Sequence, residues 1–275
     1  MRRGFSVLAY HMVEPRFDFG ITRVTPRQFR KHLERLQRLG WPVVRLDALW
    51  SANEKPQLAL TFDDAYLSVY EHALPLLAER NWPATIFVVA GHVGKWNTWD
   101  VNLGGIKFPH VDWPHLQEMI RLGWQIGSHG YKHHYTGFLS HRELKRELAD
   151  SKALLEDRLG VRVTAFAPPY GRITRRALEV AAEVGYREVA LLYTSARRGV
   201  TLRDGVAVIP RRAVYLPDTA WLVSWKVVGG GAVQAIFDLA QVIVGLGSRG
   251  STLVQLVQTK LWPAAQRLWG KERKV

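Results

Sequence analysis

Two adjacent carboxylates, Asp63 and Asp64, end the apolar run Leu58-Ala59-Leu60-Thr61-Phe62. The run is short, follows Lys55-Pro56 and suits a buried strand. In a parallel α/β sheet, ligand chemistry collects at the carboxyl ends of strands. Paired carboxylates there repel each other unless a cation or a shared proton relieves them. A metal beside a proton acceptor is one chemistry that fits. A helix N-cap is the other, because either Asp could cap a helix over 66–80.

A second run, Trp124-Gln125-Ile126-Gly127, ends in Ser128 and His129, with His133 and His134 close behind. Imidazoles four or five residues apart just past a strand can reach one ion, and imidazole with carboxylate suits zinc. The chain has no cysteine, so any metal must be held by His, Asp or Glu. Taken together, the Asp pair and the His pair favour the metal over the cap. A third stretch, Ala165-Phe166-Ala167-Pro168-Pro169-Tyr170-Gly171, ends another apolar run in a rigid turn.

These stretches must be positioned by alternating strands and helices. Strands are predicted over 5–10, 43–46, 58–62, 84–89, 124–127, 163–166, 188–192 and 206–209. Helices are predicted after Thr25-Pro26, over 67–80 with Pro75 as a distortion, over 113–122, from Ser140, and over 174–184. Ser140 with Glu143 forms a capping-box pattern. Such alternation predicts a parallel β/α architecture. Residues 91–110, with Trp96 and Trp99, read as a long βα loop of the functional kind.

The chain has 275 residues, 47% of them hydrophobic, and a formal net charge of +14. That supports a sizeable core and anionic partners. No nucleic-acid motif accompanies the charge, so nucleic acid is not an expected partner. The run at Phe5 to Tyr10 is too short for a signal-peptide core, which leads to the expectation of a cytoplasmic protein. Composition shifts near Asp218, dividing the chain into 1–218 and a tail, 219–275. The tail is apolar, carries Trp221, Trp225, Trp262 and Trp269, and ends in basic residues. It is expected to form helices on a membrane surface, with a hairpin packed on the barrel or on a second subunit as the rival. Crossing the bilayer is disfavoured by Asp238, at about 2.5–3.5 kcal/mol on insertion scales.

Three segments, Thr61-Phe62-Asp63-Asp64, Ser128-His129-Gly130-Tyr131-Lys132-His133 and Pro168-Pro169-Tyr170-Gly171, together resemble the polysaccharide deacetylase family, the NodB-homology domain of carbohydrate esterase family 4. The resemblance covers roughly residues 5–215. It implies a distorted (β/α)7-type, TIM-like barrel and a hydrolase that removes an N-acetyl group from an amino-sugar glycan. It assigns Asp64, His129 and His133 to one divalent ion, zinc most often, whose bound water attacks the amide. Asp63 is then the base. The backbone N–H of Tyr170, beside Pro169, faces the oxyanion. His134 could stand in for His133 or line the sugar groove, and the family motif favours His133.

Three departures from the family pattern matter. Ala65 stands where the family usually has Gly. Ala167 stands where many members carry an Arg that tethers the base, and Arg211 is the candidate replacement. No His follows His141, so the family's late acid is absent, yet Leu8-Ala9-Tyr10-His11 ends the first strand. That arrangement resembles circularly permuted members, including poly-N-acetylglucosamine deacetylases, and implies His11 as the general acid. Two other readings remain open here: a deacylase such as a deformylase of a lipid-linked amino sugar, and an inactive glycan-binding protein of the same fold.

Overall fold

The computed structural model describes residues 4–17, 20–49, 56–99, 105–192, 201–203, 205–230, 236, 237, 239 and 241. In chain order the elements are β1 (Phe5–Tyr10), β2 (Met12–Val13), β3 (Arg23–Val24), α1 (Pro26–Gln37), β4 (Val43–Val44), β5 (Gln57–Phe62), α2 (Leu74–Ala78) and β6 (Thr85–Val88). After these come α3 (Trp113–Arg121), β7 (Gln125–Ser128), α4 (His141–Leu159), β8 (Ala165–Phe166), α5 (Arg175–Val184) and β9 (Glu188–Leu191). The last are β10 (Thr201–Arg203), β11 (Val206–Pro210), β12 (Arg212–Ala213) and α6 (Ala220–Val228).

Strand order is β10-β11-β9-β8-β7-β6-β5-β1-β12, with β4 also on β5. Every pairing in this sheet is parallel except β10 with β11. β11 runs beside β9 through Ala207–Pro210, and two residues later β12 runs beside β1 at Arg212–Ala213. At Arg211, between them, the backbone N–H still donates to Leu191 O at 2.8 Å. One strand, broken at Arg211, therefore joins the two edges of the sheet and closes the predicted (β/α)7-type barrel.

Strand parity separates two cores. Leu58, Leu60 and Phe62 of β5 face outward, with Phe29, Leu33 and Leu77 under the helices. Ala59 belongs to a small interior cluster with Val7, Phe87, Ala165, Ala190 and Ile209, drawn from other strands around the barrel. Tyr10, Phe62 and Trp124 stack in series on the outside, at ring separations of 5.6 and 5.2 Å. Continuing the inward parity one step past each strand end brings His11, Asp63, His129 and Arg211 to the carboxyl mouth.

Local signals behave as their chemistry requires. Thr25 caps α1 through a capping box with Gln28, and Ser140 caps α4 through Glu143. The helix predicted over 67–80 is interrupted by a π-turn at Val69–Ala73, just ahead of Pro75. Proline has no N–H to give, and the wider turn absorbs the missing bond. The sequence reading missed β2, β3, β10 and β12, each two or three residues long and too short to show a period.

The start of the tail is built onto the barrel. Val223 and Val227 of α6 lie in the outer core. Lys226 Nζ donates to Asp218 Oδ2 at 2.5 Å and to Ala213 O at 2.8 Å. The Asp218 carbonyl in turn meets His32 and the Gln28 amide. Most of the expected membrane-surface tail lies outside the described residues, among which no helix is long and apolar enough to cross a membrane.

The barrel interior tolerates no extra volume at Gly127, where an added Cβ would lie 2.5 Å from the Phe87 ring. Gly127→Ala is expected to lower unfolding free energy by about 1–3 kcal/mol through overpacking, read by urea denaturation. A change near zero would mean that the ring has room to move.

Candidate active site

Asp63 is 2% exposed at the end of β5. Both of its oxygens accept from Arg211, Oδ1 from NH1 at 2.6 Å and Oδ2 from NH2 at 2.9 Å. NH1 also donates to Thr61 Oγ1 at 3.1 Å, and that hydroxyl donates to Leu8 O. The Arg211 side chain is fully buried over the Phe87 ring, 5.0 Å from its centre. Burial alone would push the Asp63 pKa up. Arg211, His129 and His11 outweigh that and hold it below the usual carboxylate value, so Asp63 is ionised.

Beyond Asp63 the chain turns sharply. Asp64 and Ala65 are both left-handed, at φ 68° and 56°. The turn aims Asp64 at a different set of partners. Its Oδ1 lies 3.2 Å from His129 Nε2 and 3.3 Å from His133 Nε2. All three groups are buried, with their ligand-type atoms within 4.8 Å of one another. His129 Nδ1 lies 2.7 Å from Ala167 O, which fixes the proton on Nδ1 and leaves a lone pair at Nε2.

Neutral His129 thus offers Asp64 no proton at Nε2, and Asp64 Oδ1 is a buried acceptor without an assigned hydrogen-bond donor among the described residues. A cation, or one shared proton, is what such a cluster lacks. The electrostatics agree. Burial raises Asp64, but His129 and His133 hold it well below the usual range. Burial lowers His129, yet Asp64 and Asp63 bring it above its ordinary value, while burial takes His133 down to about 4. One carboxylate and two imidazoles fit a divalent ion of the zinc kind.

The other predicted residues fall around this centre. His11 is half-buried at the end of β1 and near enough to Asp63 to lower its pKa. Tyr170 adopts φ 62° in the turn after Pro169, with its ring 5.1 Å from that of His133. His134 does not join the ligand cluster. Its Nδ1 faces Glu147 Oε2 at 3.7 Å, and Glu147 Oε1 accepts from Lys132 N, so Glu147 steadies the segment that carries His133.

Two neighbours, both in the loop read as functional, were given no role at the site from sequence. The Trp99 ring centre lies 3.7 Å from that of His133, and its indole N–H donates to His110 Nε2 at 3.1 Å. His110 Nδ1 donates to the carbonyl of Asp64 at 2.7 Å. The aromatic loop and its Trp99 were legible as functional, but nothing tied Trp99 to His133 or marked His110.

Comparison with known proteins gives this geometry relatives. The family model described as polysaccharide deacetylase matches residues 51–189. That stretch contains Asp63, Asp64, His129, His133 and Tyr170, but neither His11 nor Arg211. The YxkH protein of Bacillus subtilis (strain 168) is 26% identical over 207 residues, 73% of this chain and 65% of its own. A poly-beta-1,6-N-acetyl-D-glucosamine N-deacetylase of Staphylococcus aureus (strain MRSA252) is 25% identical over 176 residues, 61% of this chain and 57% of that one. This chain spans less than two thirds of the length of either relative. Among solved structures, IcaB from Ammonifex degensii matches with a TM-score of 0.68 at 28% identity, covering 82% of this chain and 97% of its own.

Removing one partner of a buried ion pair strands the other. Arg211→Leu is expected to cost about 3–5 kcal/mol in urea unfolding near neutral pH, and adding Asp63→Asn should recover part of it. Because the folded pKa of Asp63 is depressed, its contribution is present above its unfolded value, about pH 4, and is lost as pH falls through the folded value. The deficit of Arg211→Leu should therefore shrink on acidification. A deficit that stays constant with pH, unrelieved by Asp63→Asn, would contradict the pairing.

Proposed function

This chain belongs to the polysaccharide deacetylase family, and from that premise we propose that it hydrolyses the N-acetyl amide of an amino-sugar polymer. The observation that carries the reading is the meeting, at one barrel mouth, of the Asp64–His129–His133 cluster and a carboxylate held ionised by Arg211. A divalent ion, zinc by its donor set, would be held by those three residues and would polarise the acyl carbonyl and make water more acidic there. The remaining work falls to the chain itself. Asp63 takes the proton of the water that adds to the acyl carbon. His11 gives a proton to the sugar nitrogen as the C–N bond breaks, so that acetate and a free amine result. The backbone N–H of Tyr170 shares the negative charge of the tetrahedral oxygen. The name of the staphylococcal relative supports a polymer of N-acetylglucosamine as the substrate class.

We also propose contact with an anionic membrane surface. Trp221, Trp225 and Val228, one face of α6, are 59%, 49% and 47% exposed. Arg27 and Lys31 of the adjoining α1 and Arg38 at its C-cap are exposed, and the Arg35 guanidinium lies 3.6 Å over the Trp221 ring. Tryptophan beside basic residues suits the headgroup region of an anionic bilayer.

Two measurements check these readings. With an N-acetylglucosamine oligomer, wild type should release acetate, Asp63→Asn should keep the metal but lose most turnover, and His11→Ala should fall roughly 10²–10⁴-fold. Formate release from an N-formyl analogue without acetate release would change the acyl group, and full activity in His11→Ala would remove it as the acid. In vesicle co-sedimentation at low salt, wild type should pellet with anionic but not neutral lipid, and Trp221→Ser with Trp225→Ser should stay in solution. Wild type left in the supernatant with both lipids would end the membrane proposal.

A further inference from the structure

Asp64 and Ala65 pose a conformational problem. Two consecutive residues with a Cβ are left-handed, each at a cost of roughly 1–2 kcal/mol. Asp64 reaches His129 and His133 only because of that turn, so something must hold it. The carbonyl of Ala65 accepts from Val111 N at 2.9 Å, and Leu67 N donates to Pro109 O at 2.8 Å. The carbonyl of Asp64 is taken by the His110 side chain. The turn is thus pinned by residues 109–111, the end of the long loop that also carries Trp99.

His110 is well placed for this. It is 4% exposed, its ring stacks on Tyr66 at 5.2 Å with planes 11° apart, and its own N–H donates to Lys95 O. Both ring nitrogens are committed. Nδ1 donates to Asp64 O, and Nε2 accepts the Trp99 indole N–H, which holds that ring against His133. One imidazole therefore touches two of the three cluster residues, Asp64 directly and His133 through Trp99.

We infer that His110 is a positioning residue for the metal centre, fixing the Asp64 turn through one ring nitrogen and Trp99 over His133 through the other. The inference rests on the metal reading above, and zinc binding can separate the two. His110→Asn places an amide N–H where Nδ1 stands and keeps the bond to Asp64 O. His110→Gln places its amide where Nε2 stands and leaves that carbonyl without a donor. Zinc affinity, measured by competition with a chromophoric chelator, is expected to fall about 10–100-fold in His110→Gln and only by the smaller loss of the Trp99 bond in His110→Asn. Thermal melts of the zinc-free proteins should coincide for the two variants. Trp99→Phe, which keeps a ring but loses the N–H, should weaken zinc binding by less than His110→Gln. Equal affinities in His110→Asn and His110→Gln, or a loss in His110→Gln matched by an equal drop in zinc-free melting temperature, would overturn the positioning role. Wild type that takes up no zinc would instead overturn the metal reading on which it stands.

Discussion

A guanidinium with no exposed surface is among the least tolerable groups in a protein interior, and Arg211 is one. It is tolerated because Asp63 meets it with both carboxylate oxygens and Phe87 lies beneath it. The surroundings follow from that pair. Phe87 fills the barrel so fully that only glycine fits at position 127. Thr61 turns inward to accept from the same guanidinium. The small residues Ala59, Ala165, Ala167 and Ala190 leave the space in which these larger groups sit. A carboxylate held this way stays ionised under desolvation, which a general base needs and a lone buried Asp could not sustain.

The barrel and most of its centre could be read from the chain because two periodicities agree. Strands of period two carried apolar residues to one end and delivered Asp63, Asp64 and His129 there, while capped helices between them announced parallel order. Ala167 was informative by what it lacked. A missing tether demanded a cation from elsewhere, and Arg211, at the end of another inward-facing run, supplies it. Hydrogen bonds of long sequence separation were the hidden part. His110 acts on a main-chain carbonyl 46 positions away, and nothing in a residue type marks it as a donor to backbone. The left-handed turn at Asp64–Ala65 was only faintly marked, by an Asp that tolerates a positive φ and an Ala where the family usually has Gly. His134 shows the converse: a histidine of ligand type and fitting spacing that turns instead to Glu147.

The two halves of the site are stabilised by different means. Asp63 has its counter-charge within the protein. In the Asp64–His129–His133 cluster the carboxylate is offset only by its two imidazoles, and the ligand-type atoms of all three gather in a buried space. Asp63 thus has its partner in the chain itself, whereas the neighbouring cluster has the donor set to take up a cation. Adjacent carboxylates, identical in covalent structure, take different partners because one strand end separates inward parity from a reversing turn.

The break in the closing strand at Arg211 ties the completion of the Asp63 pair to the closing of the sheet. Asp63 and its guanidinium are 148 residues apart, and the same short segment seals β1 to the far edge of the sheet. A nascent chain that has emerged only as far as β9 already holds both carboxylates and both cluster histidines, but neither the cation nor the seam. Such a chain would hold Asp63 without its guanidinium and leave the sheet edges unjoined. A chain clipped ahead of Arg211 would thus lose the partner of Asp63 and the seam of the sheet in one stroke.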